Sequence, residues 1–268
     1  MAPLESFLLI LFSIFIGVLA SMLGIGGGIL VVPLLNLVYG LTSQISVGTS
    51  LFTTLFTAIS STISYRRQRR IDYRAGLIMV IGSIPGGMVG AYATNFISSV
   101  GLATIFGATL VLVSLRFLRG EKSSSNKRLS HGWRRRIVDS KGEVFEYTAN
   151  VLPGVAAGFL AGLVSGFLGV GGGIVMVPVL RLVVGFPMHL AVAASLFIMV
   201  LTSLSGTIVH VKLGHVILEF ALPLVVGVIV GAQIGSRAAK RLSAPWLQRL
   251  FGIALFLIGL RMILEWLL

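Results

Sequence analysis

The sequence predicts an all-α polytopic membrane protein made of two homologous four-unit repeats, inverted relative to one another, each opening on a glycine-broken helix. Three observations carry this prediction: an apolar composition, an internal duplication, and a glycine cluster that occurs twice. Of the 268 residues, 56% are hydrophobic and 11% are charged, and the mean hydropathy is +1.02. A soluble domain of this size needs more polar surface than that. Residues 17–116 align without a gap on 162–261, and about a third of the positions are identical. Gly24, Gly26, Gly27, Gly28 and Pro33 fall on Gly169, Gly171, Gly172, Gly173 and Pro178, while Thr57 and Ser60 fall on Thr202 and Ser205.

The first repeat (1–118) divides into apolar units at 5–39, 43–65, 75–96 and 100–118, and the second (151–268) into 152–185, 189–211, 216–236 and 245–267. The later units have the length of one crossing of a ~30 Å hydrocarbon core. The opening unit of each repeat is too long for one crossing, and its glycine cluster divides it near the middle. Two helical pieces joined by non-helical backbone are expected there, which at membrane depth must be buried by protein or line a wet cavity. Gly82, Gly86 and Gly90, like Gly227, Gly231 and Gly235, recur every fourth residue and read as smooth packing faces. The N-terminal stretch has no basic leader or small-residue cleavage site and reads as a retained membrane segment.

The net charge is +13. Five basic residues lie within 66–74 and nine between Arg116 and Lys141. Short basic segments beside membrane spans set topology, so these charges are not read as a nucleic-acid surface. The segment 119–150 reads as a basic, serine-rich cytoplasmic linker, partly disordered. If each broken unit dips in and returns to its own side, each repeat has three full crossings. The basic stretch Arg237, Lys240, Arg241, Arg249 then shares the cytoplasmic side with the other two, and both termini lie outside.

Consecutive glycines in "GIGGG" and "GVGGG" do not share one helix face, and they suit unwound backbone with exposed amides. The helical piece beginning after each cluster presents free N–H groups and the positive end of a dipole, which attract an anion. A Walker-type nucleotide loop is a weak reading, because no Lys-Ser/Thr pair or preceding strand accompanies the glycines and membrane-length apolar sequence flanks them. The next unit in each repeat, "TSLFTTLFTAISSTIS" and "ASLFIMVLTSLSGTIV", carries Ser50, Thr53, Thr57 and Ser60 at a 3–4 spacing along one face, and Ser195, Thr202 and Ser205 with gaps. This stripe reads either as a polar lining or as hydroxyls bonded back to their own helix.

The doubled "GxGGGxxxVP" motif, the following "TSL"/"ASL" helix and the four-plus-four apolar pattern resemble the TauE/SafE family of sulfite and organosulfonate exporters. The resemblance covers almost all of the chain outside 119–150. It implies a secondary carrier for small sulfur-containing or related organic anions across the cytoplasmic membrane. Its glycine motifs fall on Gly24, Gly26, Gly27 and Gly28 and on Gly169, Gly171, Gly172 and Gly173; its helix-opening hydroxyl falls on Thr49–Ser50 and Ser195. Ala194 stands where the first repeat has Thr49, so the half-sites need not be chemically equal.

Few ionisable or amide side chains fall within the apolar units. Arg181 and its counterpart Asn36 follow the motif proline by three residues; they read as anion contacts or, for the arginine, as a side chain snorkelling to the interface. Gln233 reads as a path-lining group or a bond to a neighbouring helix. His189 reads as interfacial, and His215 with Glu219 as a pair four apart on one helix. With no cysteine, no metal-ligand spacing and no nucleophile beside a base, neither an enzyme nor a cofactor is expected. The expected partners are a small anion and the lipid bilayer; the coupling ion (H⁺ or Na⁺) and a homodimer are left open. The rival readings are an anion channel and a non-transporting membrane scaffold.

Overall fold

Residues 3–119, 132–239 and 245–264 are described by the computed structural model. The first part of the linker (120–131), together with Lys240 and Arg241, lies outside them. The first repeat holds α1 (Pro3–Leu23), α2 (Gly28–Pro33), α3 (Ser43–Arg67), α4 (Tyr73–Ala93) and α5 (Ser99–Arg119). The second holds α6 (Val151–Leu168), α7 (Gly173–Val179), α8 (Met188–Lys212), α9 (Leu218–Ala238) and α10 (Pro245–Leu264). The opening unit of each repeat is indeed two helical pieces, α1–α2 and α6–α7. Pro33 and Pro178 each remove a backbone donor, and the chain after each widens into a π turn, Leu34–Val38 and Leu180–Val184.

The halves interlock. Gly227, Gly231 and Gly235 of α9 stand against Ile10, Ile14 and Val18 of α1, so these two helices run in the same direction at backbone contact. Gly82, Gly86 and Gly90 of α4 stand in the same way against Val155, Phe159 and Leu163 of α6. A methyl on any of these glycines would enter a carbonyl oxygen of the facing helix, which is why the packing faces must be bare. The second unit follows the same rule: α3 runs with α9 from Thr49 beside Ile217 to Ser64 beside Ser236. Correspondingly, α8 runs with α4 from Phe197 beside Tyr73 to Ser205 beside Ile84. Helices α5 and α10 meet at Gly107 and Gly259. Each repeat thus packs its first helix on the third unit of the other.

Among the described residues, five helices, α1, α4, α6, α8 and α9, are long and apolar enough to cross a membrane. Their outer faces leave large side chains exposed, among them Leu4, Phe7 and Leu11 on α1 and Leu222, Val226 and Val230 on α9. Contiguous apolar surface of this kind is stable against lipid and not against water. Helix α3 has 25 residues but is rich in Ser and Thr, and most of it is buried between the halves.

The linker departs from the expectation of a featureless segment. Residues Trp133–Val138 (β1) and Val144–Ala149 (β2) form an antiparallel hairpin with Trp133 opposite Ala149 and Val138 opposite Val144. Arg135 and Asp139 dock it, while Arg136 pairs with Glu146 within the hairpin. Arg135 donates to both oxygens of Asp72, through Nε at 2.7 Å and Nη2 at 2.8 Å, and the Tyr147 hydroxyl donates to Asp72 Oδ2 at 2.7 Å. Arg70 donates to Asp139 Oδ2 at 2.9 Å, and the Ser140 amide donates to the Gln68 carbonyl at 3.0 Å. The hairpin also reaches the second repeat: Tyr147 stacks edge-on against Phe186 at 4.7 Å, and the Asn150 amide donates to the Val184 carbonyl at 3.0 Å. It therefore ties the α3–α4 turn to the end of the second broken unit. Composition predicted a loose linker because these partners lie more than sixty residues away for Arg70 and Asp72.

Burial pushes the Asp72 and Asp139 carboxyls up, but hydrogen bonds from Arg135 and Tyr147 to the first, and from Arg70 to the second, outweigh it and hold both below the ordinary carboxylate range. Such groups add stability above their unfolded value of about 3.9 and lose it as pH falls through the lowered folded value. Limited proteolysis within 132–149 is therefore expected to be slow at neutral pH and to accelerate below about pH 4. Asp72→Asn, which leaves the half-buried Arg135 without its anion, is expected to loosen the docked hairpin and to give the same cleavage at pH 7.

Candidate functional site

The two glycine clusters cross each other in the interior. Gly24, Gly26 and Gly27 have φ of 73°, 84° and 90°, and Gly169, Gly171 and Gly172 have φ of 69°, 75° and 78°. All six lie in the left-handed region that residues with a Cβ rarely adopt, and through them the chain turns back on itself. Gly28 rests on the Gly169 carbonyl and Val170 Cα, and Gly173 rests on the Gly24 carbonyl and Ile25 Cα. The crossing is backbone on backbone, antiparallel, and repeats the twofold relation of the duplication.

Each arm of the crossing is clamped by a serine of the other repeat. Ser50 donates to the Gly169 carbonyl at 2.8 Å, and Ser195 donates to the Gly24 carbonyl at 3.0 Å. At the centre, the methyl of Thr54 and the sulfur of Met199, which are equivalent positions, fill the space beside both Gly26 and Gly171. The segments 24–29 and 168–173 are buried, so the crossing is closed to solvent. Among the described residues, no acceptor meets the amides of Gly26, Gly27, Gly28 and Ile29, or those of Gly171, Gly172, Gly173 and Ile174; bonding resumes at Leu30 and Val175. Two buried hydroxyls beside the glycines, Thr54 Oγ1 and Ser165 Oγ, also have no partner. Buried donors without acceptors are uncommon in folded proteins. The unpaired amides cluster where the two breaks meet, while other unpartnered buried hydroxyls, Ser61, Thr62, Ser203 and Thr207, lie further along α3 and α8.

The remaining sequence candidates sit further out, with their polar groups engaged by protein. Thr53 and Thr57 donate back to the carbonyls of Thr49 and Thr53 at 2.9 and 3.1 Å. Thr202 bonds the Ile198 carbonyl at 3.1 Å and Ser83 Oγ at 2.7 Å. Thr49 Oγ1 accepts the Ile217 amide at 3.1 Å and so caps the start of α9. Asn36 donates to the Leu41 carbonyl at 2.8 Å and closes the turn into α3. Gln233 donates to the Ser60 carbonyl at 2.7 Å, joining α9 to α3. Arg181 is half-buried on the π turn after α7, with Nη1 at 3.9 Å from Met188 Sδ. His189 is exposed. His215 lies in the turn before α9 and not on a helix with Glu219; its Nδ1 stands 3.2 Å from Nδ1 of the buried His210.

Sequence reasoning missed Thr54, Met199 and His210. The first two were detectable, since the duplication places Thr54 on Met199 and both lie one turn beyond the clamping serines. A methyl at Gly28 or Gly173 has backbone in its way, whereas Gly40 (φ 65°) has open space around it. In thermal unfolding of the purified protein, Gly28→Ala and Gly173→Ala are expected to lower Tm well beyond Gly40→Ala, which carries only the left-handed penalty of about 1–2 kcal/mol.

The sulfite exporter TauE/SafE family model matches residues 9–262. The chain is 35% identical to the probable membrane transporter protein YunE of Bacillus subtilis, over 96% of this chain and 97% of that one. It is 29% identical to a probable membrane transporter protein of Methanocaldococcus jannaschii, over 96% and 95% of the two chains. It is 27% identical to one of Xylella fastidiosa, over 92% and 91%. No solved structure matches. With a family-model match over nearly the whole chain and relatives named as probable membrane transporter proteins, beside helices that are apolar enough to cross a membrane, this chain belongs to the sulfite exporter TauE/SafE family of membrane transporters.

Proposed function

We propose that the protein is a secondary carrier of small anions, with sulfite or an organosulfonate as substrate, working by alternating access in the cytoplasmic membrane. The observation that carries this reading is the pair of crossed breaks with eight unsatisfied amides and two unsatisfied hydroxyls. Neutral N–H donors at the start of two helical pieces favour an oxyanion without holding it as tightly as a buried arginine would. Arg181 is eight residues beyond Gly173, about 12 Å of helix rise, and meets the anion on its approach to the crossing. The closed crossing corresponds to an occluded state. Access requires the halves to part at one contact, Gly28 on Gly169 or Gly173 on Gly24, while the other holds.

The packing supports inverted halves. Helix α1 runs with α9 and with α3, and α6 runs with α4 and with α8 by the same registers. The short turns at 68–72 and 213–217 reverse the chain from α3 to α4 and from α8 to α9. Equivalent helices then point in opposite directions, and the broken units return to their own sides. The hairpin and the basic turn 66–74 share one face, which the positive charge assigns to the cytoplasm. Both termini fall outside; a tag at Leu268 is expected to react with impermeant reagents added to intact cells, and labelling only after permeabilisation refutes the inversion.

Purified protein is expected to be stabilised by one or more of sulfite, thiosulfate, sulfoacetate and taurine and less by chloride. The gain approaches about 2.7 kcal/mol at a hundredfold excess over Kd. Proteoliposomes are expected to show saturable counterflow of the stabilising anion. Stabilisation by none of them refutes the anion site, and large single-channel currents refute the carrier.

A further inference from the structure

The duplication lays Tyr65 on His210 and Arg70 on His215, and the structure puts each pair to the same architectural use. The last carbonyls of a broken helix have no partner within it. In the first repeat the Tyr65 hydroxyl donates to the Ser21 carbonyl at the end of α1, at 3.1 Å. In the second, His210 Nε2 meets the equivalent Gly166 carbonyl at the end of α6, at 3.0 Å. In both, the residue five positions on returns its amide to that side chain's own carbonyl: Arg70 to Tyr65 at 3.2 Å, His215 to His210 at 2.9 Å. The two turns differ in chemistry. The first is locked by the Arg70–Asp139 ion pair; the second holds two imidazoles with Nδ1 atoms 3.2 Å apart.

That geometry fixes the protons. A carbonyl only accepts, so His210 Nε2 carries hydrogen, its Nδ1 is a lone pair in the neutral state, and His215 Nδ1 donates to it. One proton can be added at the outer Nε2 of His215, which is half-buried in the turn. The hydrogen between the Nδ1 atoms can then pass to His210, leaving His215 neutral and His210 cationic, with net addition of one proton. A second proton would set two imidazolium rings against each other with centroids 5.4 Å apart. His210 as a cation would have both donors satisfied and would lie at the negative end of α6.

Resting on the carrier reading above, we propose that His210 and His215 form a one-proton site that couples anion movement to the proton gradient through its hold on the Gly166 carbonyl beside the second break. The proton binds best when α8 is seated on the end of α6, and a ligand shifts a conformational equilibrium only through such a difference. Among the described residues, the elements packed around the pair bring no charge into contact with it: α6 presents Gly166, α3 presents Gly48 and Thr49, and the charged Lys212 and Glu219 at the ends of α8 and α9 are exposed. Burial lowers the His215 ring below the ordinary histidine value, so uptake belongs to the acidic side. In the first repeat the equivalent tyrosine hydroxyl keeps the same carbonyl contact without titrating near neutrality, so the halves respond to pH unequally.

The test is methanesulfonate transport in proteoliposomes, since a sulfonate keeps its charge across the relevant pH range. Wild type is expected to show counterflow at equal pH. With one pH unit imposed, it should accumulate the anion towards the tenfold ratio set by one proton per anion. His215→Asn and His210→Tyr, the latter copying the first repeat, are expected to keep counterflow and to lose accumulation. Accumulation surviving in both variants, or wild-type counterflow indifferent to the pH difference, overturns the proposal. Absent wild-type counterflow overturns the carrier reading for sulfonates and the coupling with it. Independently of transport, ¹⁵N-histidine NMR of the full-length protein is expected to show the two rings taking up one shared proton; independent two-proton titration, or none between about pH 4 and 8, also overturns it.

Discussion

Everything in this molecule is arranged around a contact that only backbone can make. At the crossing, Gly28 lies on the Gly169 carbonyl and Gly173 on the Gly24 carbonyl, with no room for a Cβ on either side. Because both breaks turn back there, α2 and α7 return towards the sides from which α1 and α6 came. This leaves α3 and α8 to cross between the halves. The hydroxyl-rich character of α3 follows from that position, since it is packed against protein and needs little lipid-facing surface. The bare glycine faces of α4 and α9 then let the first helix of each half approach the other half closely enough to frame the crossing.

The crossing has a polar cost. Unwinding the backbone frees amides at membrane depth, where each unpaired group is unfavourable by several kcal/mol. The protein meets part of that cost on the carbonyl side, with Ser50, Ser195, Tyr65 and His210 each donating to a carbonyl at or near a break. It leaves the amide side open. The proposed anion site rests on that asymmetry between satisfied acceptors and unsatisfied donors.

The twofold relation is close in the backbone and broken in the chemistry. One end of the molecule carries the hairpin, whose Arg70–Asp139 and Arg135–Asp72 pairs fasten the α3–α4 turn. The equivalent α8–α9 turn has no hairpin and carries the histidine pair. A carrier made of two identical halves would have no preferred direction or trigger; differences at the turns are where a duplicated fold can acquire both.

By itself the sequence determined the duplication, the two breaks and the packing faces, since all three are written in local terms. Glycine runs admit left-handed backbone where residues with a Cβ resist it, and a four-residue glycine period places the glycines on one helix face. The same reading identified Ser50 and Ser195 as candidates beside the breaks. It could not tell them from Thr53, Thr57 and Thr202, because which hydroxyl faces a glycine and which bonds back to its own helix depends on helix rotation in the assembled bundle. Nor could it find the hairpin's docking, where Arg135 and Tyr147 meet an aspartate more than sixty residues away. His215 was paired on paper with Glu219 because helical spacing was all there was to go on. Only the tertiary structure, by ending α8 at Lys212 and seating it on the end of α6, brings His215 to His210 and His210 to a carbonyl that the break had left unpaired.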